Sequence, residues 1–389
     1  MRATSLVLLL AAVVAAPALA QSQATTGVIE GTVLDETGAA VPGAGVTMRN
    51  TATNYERTAT TDADGRFRGL LLPLGPYRVT VAKSGFATLV RDGINLAVGQ
   101  TVSLTLNLKV SAVQEEVVVT GAAPLVETSR AEGSDRIDDA AIRGLPNNGR
   151  NFLDFTKLTP GVSIVQGPDG DELTINGQKG IANNISVDGA DFNNPFFGEQ
   201  RGGQRPPFTF NLDAVKEVVV VAEGAPAEFG RSSGGFVNVV TKSGTNQLHG
   251  TVHDYFKNQG LSSAPKRGDG SSGPKTDFNQ NQAGFTLGGP LVKDKAFFFG
   301  SYEGYRVHSD INFVEAVPSA AARARAVPAV VPLLDAFTSP RAIVLPGASA
   351  NPDFDIAQLQ DRSTVNEDAF SGRLDVRLGE KHKLYARYF

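Results

Sequence analysis

Three groupings in the sequence have residue types that could do chemistry. Gly230-Arg231-Ser232-Ser233-Gly234 fits the G-x-S-x-G spacing, in which a serine nucleophile stands on a sharp turn between a strand and a helix. The residues that follow, Phe236 to Val240, are a β-rich run, so this turn feeds a strand and a nucleophile elbow is not expected. His249 and His253 are four apart but lack the glutamate of an H-E-x-x-H zinc motif. They also fall in strand-like sequence, where positions i and i+4 share a face yet lie about 13 Å apart, too far to chelate one metal. Asp62 and Asp64 open like a calcium loop, but the twelfth position, which needs a bidentate glutamate, is Pro73. A hairpin turn is the reading there. Cysteine is absent, which removes thiolate nucleophiles and thiolate metal sites. No catalytic residue, metal site or cofactor is expected, and no enzymatic activity.

The composition bounds the remaining classes. With 36 basic and 40 acidic residues the formal net charge is −4, and no block supplies a basic face, which argues against nucleic acid. Arg2, an apolar run from Leu6 to Ala16 and the small residues Ala18-Leu19-Ala20 read as a secretory signal peptide over residues 1–20. The apolar run is too short for a membrane anchor, which takes roughly 20 residues. A chain of 389 residues has room for two or three domains, and its 42 glycines and many β-branched runs predict a mainly β protein.

Residues 27–110 alternate strands and turns at close spacing. Ile29, Gly31 and Val33 fall on one face of a strand, as do Tyr77, Val79 and Val81. Val102, Leu104, Leu106 and Leu108 alternate with Ser103, Thr105, Asn107 and Lys109, the period-two pattern of a half-buried strand. About seven short strands separated by Gly, Asp and Pro turns predict a β-sandwich. The opening Gly27 to Asp35, Val41-Pro42-Gly43-Ala44, Thr61 to Phe67 and Gly75 to Val79 resemble a carboxypeptidase regulatory-like domain. That resemblance implies a transthyretin-like, starch-binding-like sandwich serving as an accessory module. Sugar binding would follow only by fold analogy.

The most informative stretch is Glu228 to Asn246, EFGRSSGGFVNVVTKSGTN. Gly230, Gly234 and Gly235 permit positive φ or close backbone approach before the strand. The stretch resembles the end of the plug domain of TonB-dependent outer-membrane receptors. The segments from Leu145 to Val162, Thr174 to Asn194 (with Val187-Asp188-Gly189) and Leu212 to Glu223 are similar to earlier parts of the same plug. A short helix is expected over Asn151 to Leu158, with Phe152, Phe155 and Leu158 on one face. The resemblance implies an α+β plug at 125–245, preceded by a linker at 111–124. It also makes Glu116, Val117, Val118, Val119 and Thr120 candidates for the box that pairs as an added strand with the energy-coupling protein TonB. The alternative is that these five residues form the first plug strand. Phe192, Phe196, Phe197, Arg201 and Arg205 lie in a loop rich in Gly, Asn and aromatics. In a plug that loop would face an external ligand; otherwise it is an ordinary connection.

From residue 246 onward the pattern is amphipathic strands joined by turns. Ala283, Phe285 and Leu287 alternate with Gly284, Thr286 and Gly288. Phe370, Leu374, Val376 and Leu378 point outward in the prediction, with Arg373, Asp375 and Arg377 inward, as in a transmembrane β-barrel. GGPLVKDKAFFFGSYEGYR resembles a hairpin of the Oar-like branch of the same receptors. Residues 310–368 lack strand patterning and are expected to be a long loop. Only 144 residues follow residue 245, whereas plugged transporters have about 22 strands. The fold expected is therefore a sandwich, a plug and the first strands of an incomplete barrel.

The resemblance implies a receptor of the outer membrane that takes up a scarce small ligand (siderophore, glycan or peptide) using TonB, with plug and sandwich on the periplasmic side. The rival is a secreted or surface carbohydrate-binding or adhesion protein using the sandwich. That reading needs aromatics on an exposed face, and the sandwich offers only Tyr55, Phe67, Tyr77 and Phe86.

Overall fold

The computed structural model describes residues 25–111, 116–120, 133–147, 149–167, 170–193, 211–225, 229–264, 266, 272, 275, 277–336, 343–345, 349–379 and 382–389. Two compact units result, one of residues 1–250, 287–300 and 372–388, the other of 251–286, 301–371 and 389.

The first unit begins with seven strands: β1 (Thr26–Asp35), β2 (Gly45–Asn50), β3 (Glu56–Thr60), β4 (Arg66–Pro73), β5 (Gly75–Ala82), β6 (Thr88–Leu96) and β7 (Thr101–Leu108). They form two sheets, β4-β1-β7 and β3-β2-β5-β6. Each strand turns its alternate apolar residues inward, so Ile29, Val33, Tyr77, Val79, Val81, Val102, Leu104, Leu106 and Leu108 join one core. Burying such side chains is worth roughly 1.5–3 kcal/mol each. Tyr77 is only 1 % exposed, and its hydroxyl donates to the Pro73 carbonyl at 2.8 Å. Phe67 is buried, and Tyr55 and Phe86 pack against the same core. The four aromatics thus serve the sandwich interior rather than a sugar-stacking platform.

Strand β8 (Glu116–Thr120) extends the larger sheet beyond β6, in parallel register from Thr88↔Glu116 to Asp92↔Thr120. These residues are neither a plug strand nor a detached linker segment; they belong to the sandwich. A period-two reading cannot detect this, because backbone pairing with a strand some 28 residues earlier leaves no local mark.

The plug follows with β9 (Gly133–Asp138), helix α1 (Asp139–Gly144), the single turn α2 (Leu153–Thr156), and strands β10 (Val162–Gly167), β11 (Gly170–Ile175), β12 (Asn184–Val187), β13 (Ala190–Asp191), β14 (Val215–Glu223) and β15 (Phe236–Thr241). Its sheet runs β13-β12-β15-β14-β9, and β10 and β11 form a separate hairpin. The helix expected over 151–158 shrinks to α2. Phe152 and Phe155 are buried as predicted, but Leu158 is 56 % exposed, because Thr159-Pro160-Gly161 ends the helical run before a second turn can bring it inward. The central strand β14 is apolar on both faces. Val218 and Val220 join the plug core, while Val219 and Val221 pack with Phe236, Val240 and the sandwich residue Val98. Burial on two sides is why this strand reads as an unbroken valine run.

The remaining strands are β16 (His249–Asn258), β17 (Phe278–Val292), β18 (Ala296–Pro318), β19 (Ile343–Leu345), β20 (Phe354–Leu378) and β21 (His382–Tyr388), with short helices α3 (Ala320–Arg325) and α4 (Val331–Ala336) between β18 and β19. The sheet order is β16-β17-β18-β20-β19, with β21 also on β20. Val252, Phe285, Leu287, Phe370 and Leu374 are exposed, whereas Gln282, Thr286, Ser301, Glu303 and Asp375 are buried. Apolar-out and polar-in alternation of this kind is the membrane-barrel pattern. No described helix is long and apolar enough to cross a membrane.

The loop expected at 310–368 is a correction. Strand β18 runs on to Pro318 and β20 begins at Phe354, so only 319–353 connects them. A bilayer crossing takes about 9–11 residues, and these strands are 23 and 25 residues long. Their far ends lie outside any hydrocarbon slab, where neither face has to be apolar and alternation disappears.

Gly31 sets the approach of β1 to β7. A Cβ there would stand 2.1 Å from the Leu104 carbonyl oxygen, and backbone cannot yield as a side-chain tip can. Gly31→Ala is expected to lower sandwich stability by about 3 kcal/mol, read as the urea midpoint of intrinsic tyrosine fluorescence.

Candidate functional site

The first candidate, β8, is an edge strand with one side paired to β6 among the described residues. Its backbone is already extended, the state in which a strand can accept a partner. Of the five loop candidates, Phe192 alone is described. Its N–H donates to the Ile185 carbonyl at 2.9 Å, and its ring packs against the plug core. Phe192 therefore stands at the root of the loop, partly buried against the plug core. Phe196, Phe197, Arg201 and Arg205 lie outside the described residues.

Geometry draws attention instead to Asp188, which sequence reasoning placed in a turn without assigning it a role. Strands β12 and β13 are joined by Asp188-Gly189 alone, both at positive φ (49° and 80°), as a type I′ hairpin requires of its Asp-Gly pair. The turn aims the carboxylate back across the sheet, where it accepts from the Thr241 N–H at 2.8 Å and its hydroxyl at 3.1 Å. Two arginines from the barrel strands converge on it: Arg373 of β20 at 3.2 Å and Arg387 of β21. Arg373 also donates twice to Asp375, at 2.7 and 3.0 Å, and lies over the Tyr385 ring. Both arginines are about nine-tenths buried at the side chain, and the Asp188 side chain is 3 % exposed. Two carboxylates thus face two guanidiniums, with Lys383 Nζ 3.8 Å from Asp375, so each buried charge has an opposite partner as burial of charge demands. The sequence signal was available, since Arg373 and Asp375 were placed inward, but their partner 185 residues earlier was not legible.

A second polar contact lies at the β17–β18 turn. Asp294 accepts from Asn54 at 2.8 Å and from Asn246 at 2.7 Å, and the Asn246 N–H donates to the Ala52 carbonyl. Hydrogen bonds from Asn54 and then Asn246 hold the Asp294 carboxyl below its ordinary 3.8. The Arg377 guanidinium lies over Tyr55 at 5.2 Å and donates to the Asn54 carbonyl.

The groupings examined for catalysis have structural partners. Ser232 Oγ donates to the carbonyls of Gly235 and Ala182 and a strand follows, so it ties a loop. Asp62 accepts from the N–H groups of Asp64 and Arg66, closing a turn that carries the chain from β3 in one sheet to β4 in the other; the turn expected there is present, but it is not a hairpin. In the second unit, His253 Nε2 meets Glu303 at 2.9 Å, and Gln282 donates to the other Glu303 oxygen at 2.7 Å. His249 bonds within its own turn, to Gln247.

A β-sandwich, a mixed plug sheet and an amphipathic antiparallel sheet whose inward charges grip the plug define a plugged outer-membrane barrel protein. Comparison with known proteins agrees. Residues 28–109 match the carboxypeptidase regulatory-like domain, 134–237 the TonB-dependent receptor plug domain, and 240–389 an outer membrane beta barrel domain. The chain belongs to the TonB-dependent receptors. It is 31% identical over 293 residues to the TonB-dependent transporter Oar of Myxococcus xanthus, covering 72% of this chain and 27% of that protein. It is 32% identical over 105 residues to the probable TonB-dependent siderophore receptor PirA of Acinetobacter baumannii, or 27% of this chain and 11% of that one. Similar solved structures include a mutant of the ferric enterobactin receptor PfeA of Pseudomonas aeruginosa, at 18% identity over 67% of this chain and 32% of that chain, TM-score 0.39. The chain thus spans about a quarter or less of the curated relatives it matches.

Two outcomes follow. Asp188→Asn leaves the buried Arg387 guanidinium without its carboxylate and Arg373 with Asp375 alone, and is expected to cost about 3–5 kcal/mol, read as a lowered unfolding midpoint in detergent with the sandwich transition unmoved. For Asp294 the folded pKa is depressed, so its stabilisation is complete above the ordinary value and is lost as pH falls through the lower folded value. Stability of the parent should therefore drop below about pH 4 more steeply than that of Asp294→Asn, in urea titrations at stepped pH.

Proposed function

We propose that this chain is the N-terminal part of a TonB-dependent transporter that carries a scarce small ligand across the outer membrane. The observation that supports this most is the plug hairpin gripped by barrel strands through Asp188, Arg373 and Arg387. A plug whose own apolar core is closed and which barrel strands hold by a compact ionic cluster can be rearranged without exposing that core. In this reading the sandwich and plug face the periplasm, and 116–120 is the strand on which TonB pulls. The ligand is a small molecule of the siderophore, glycan or peptide kind, and Phe196, Phe197, Arg201 and Arg205 are candidates to meet it. Relatives bearing the names transporter and siderophore receptor support this class over the carbohydrate-binding rival, as do the core-facing aromatics of the sandwich.

The test has two arms. An antibody against residues 27–110 is expected to detect the protein in purified outer membranes; recovery from the soluble fraction or medium alone would overturn the reading. In capture by the periplasmic domain of TonB, Val118→Pro is expected to reduce binding at least tenfold, because proline removes a strand donor, while outer-membrane levels stay unchanged.

A further inference from the structure

The strand read as the TonB contact is part of the sandwich, and the same sandwich is fastened to the plug one turn further along. Strand β8 pairs along its whole length with β6. The chain leaves β6 at Leu96 into the turn Ala97-Val98-Gly99-Gln100 before β7. That turn is rigid: Gln100 Oε1 accepts from the Ala97 N–H at 3.0 Å, and the Gly99 N–H donates to the Thr26 carbonyl at 2.7 Å.

Val98 at its tip is clasped by the plug. Its N–H donates to Glu217 Oε2 at 3.0 Å, and its carbonyl accepts from Arg136 Nη2 at 2.9 Å. Glu217 and Arg136 also pair with each other at 3.6 Å. The Val98 side chain is buried with Val219, Val221, Phe236 and Val240 of the two central plug strands. The β2–β3 turn, at the same end of the sandwich, rests on the β17–β18 turn through Asn54, Asp294 and Asn246, whose side-chain bonds are exposed, and on Arg377 over Tyr55. Buried apolar packing with a desolvated ion pair holds against a load better than exposed polar contacts, which compete with water.

We infer that the sandwich is the mechanical relay of this receptor. Tension on 116–120 passes through β6 and the Val98 turn onto Glu217 of β14; the sandwich leaves the β17–β18 turn first and draws the plug with it. This rests on the reading of 116–120 as the TonB strand. The competing route is covalent. Strand β8 would peel from β6, and tension would reach β9 through residues 121–132.

Force spectroscopy on the full receptor in lipid vesicles separates the two routes, with the TonB periplasmic domain on the probe. Twelve Gly/Ser residues inserted within 121–132 add about 40 Å of contour. If tension passes through β6, the extension at the first plug event is unchanged by the insertion. It should lengthen by about 40 Å only when the insertion is combined with Val98→Asp or Glu217→Ala. Two clasp variants guard against a folding defect in either one. An insertion that by itself lengthens the first event overturns the relay while leaving the TonB strand intact. If the TonB domain captures the parent and Val118→Pro equally, or neither, the assignment of 116–120 fails and the relay fails with it.

Discussion

Asp188 sits at the tip of a two-residue hairpin turn, and two barrel strands direct arginines at it. Removing charge from water is costly unless each group is paired and hydrogen-bonded, so this arrangement demands agreement among distant parts of the chain. The Asp-Gly turn must take positive φ at both residues, β15 must end at Thr241 to offer two donors, and β20 and β21 must pair in register so that Arg373 and Arg387 arrive together. That agreement ties the plug to these strands. The plug core itself is closed off around Val218, Val220, Val237 and Val239.

The sandwich has a different logic. Its core is completed by its own seven strands, and among the described residues its attachments gather at two turns: a valine turn clasped by Glu217 and Arg136, and an asparagine turn against Asp294, Asn246 and Arg377. A domain built this way keeps its fold when the attachments break. The addition of β8 to its edge then turns an accessory module into something that can bear load, since backbone pairing along five residues ties the strand to the module.

The residues whose spacing could suggest chemistry, His253, Asp62 and Ser232, are engaged in an ion pair and in turns. His253 lies beside a fully buried Glu303 on the inward face of the barrel sheet, where it satisfies a carboxylate. The G-x-S-x-G serine ties the glycine loop to Ala182. Each is a polar residue whose position is explained by what it holds together.

Much of this was legible in order along the chain. Period-two alternation marked the sandwich strands and the inward row of Arg373, Asp375 and Arg377, because a sheet with one buried face must alternate. Glycine and aspartate marked the turns, because positive φ is open to few residues. The reading failed where no local pattern is enforced. Residues 310–318 and 354–368 are strand without alternation, since strands beyond the bilayer have no apolar face to keep, and Leu158 fell outside a helix cut to one turn. Pairing across long separations belongs to the tertiary structure alone. The sequence by itself determined which residues face inward; only the fold decided that Asp188 meets Arg373 and Arg387, that Val98 meets Glu217, and that Glu116–Thr120 lies on β6. Facing is set by neighbours two residues away, whereas partnership is set by how whole sheets come together.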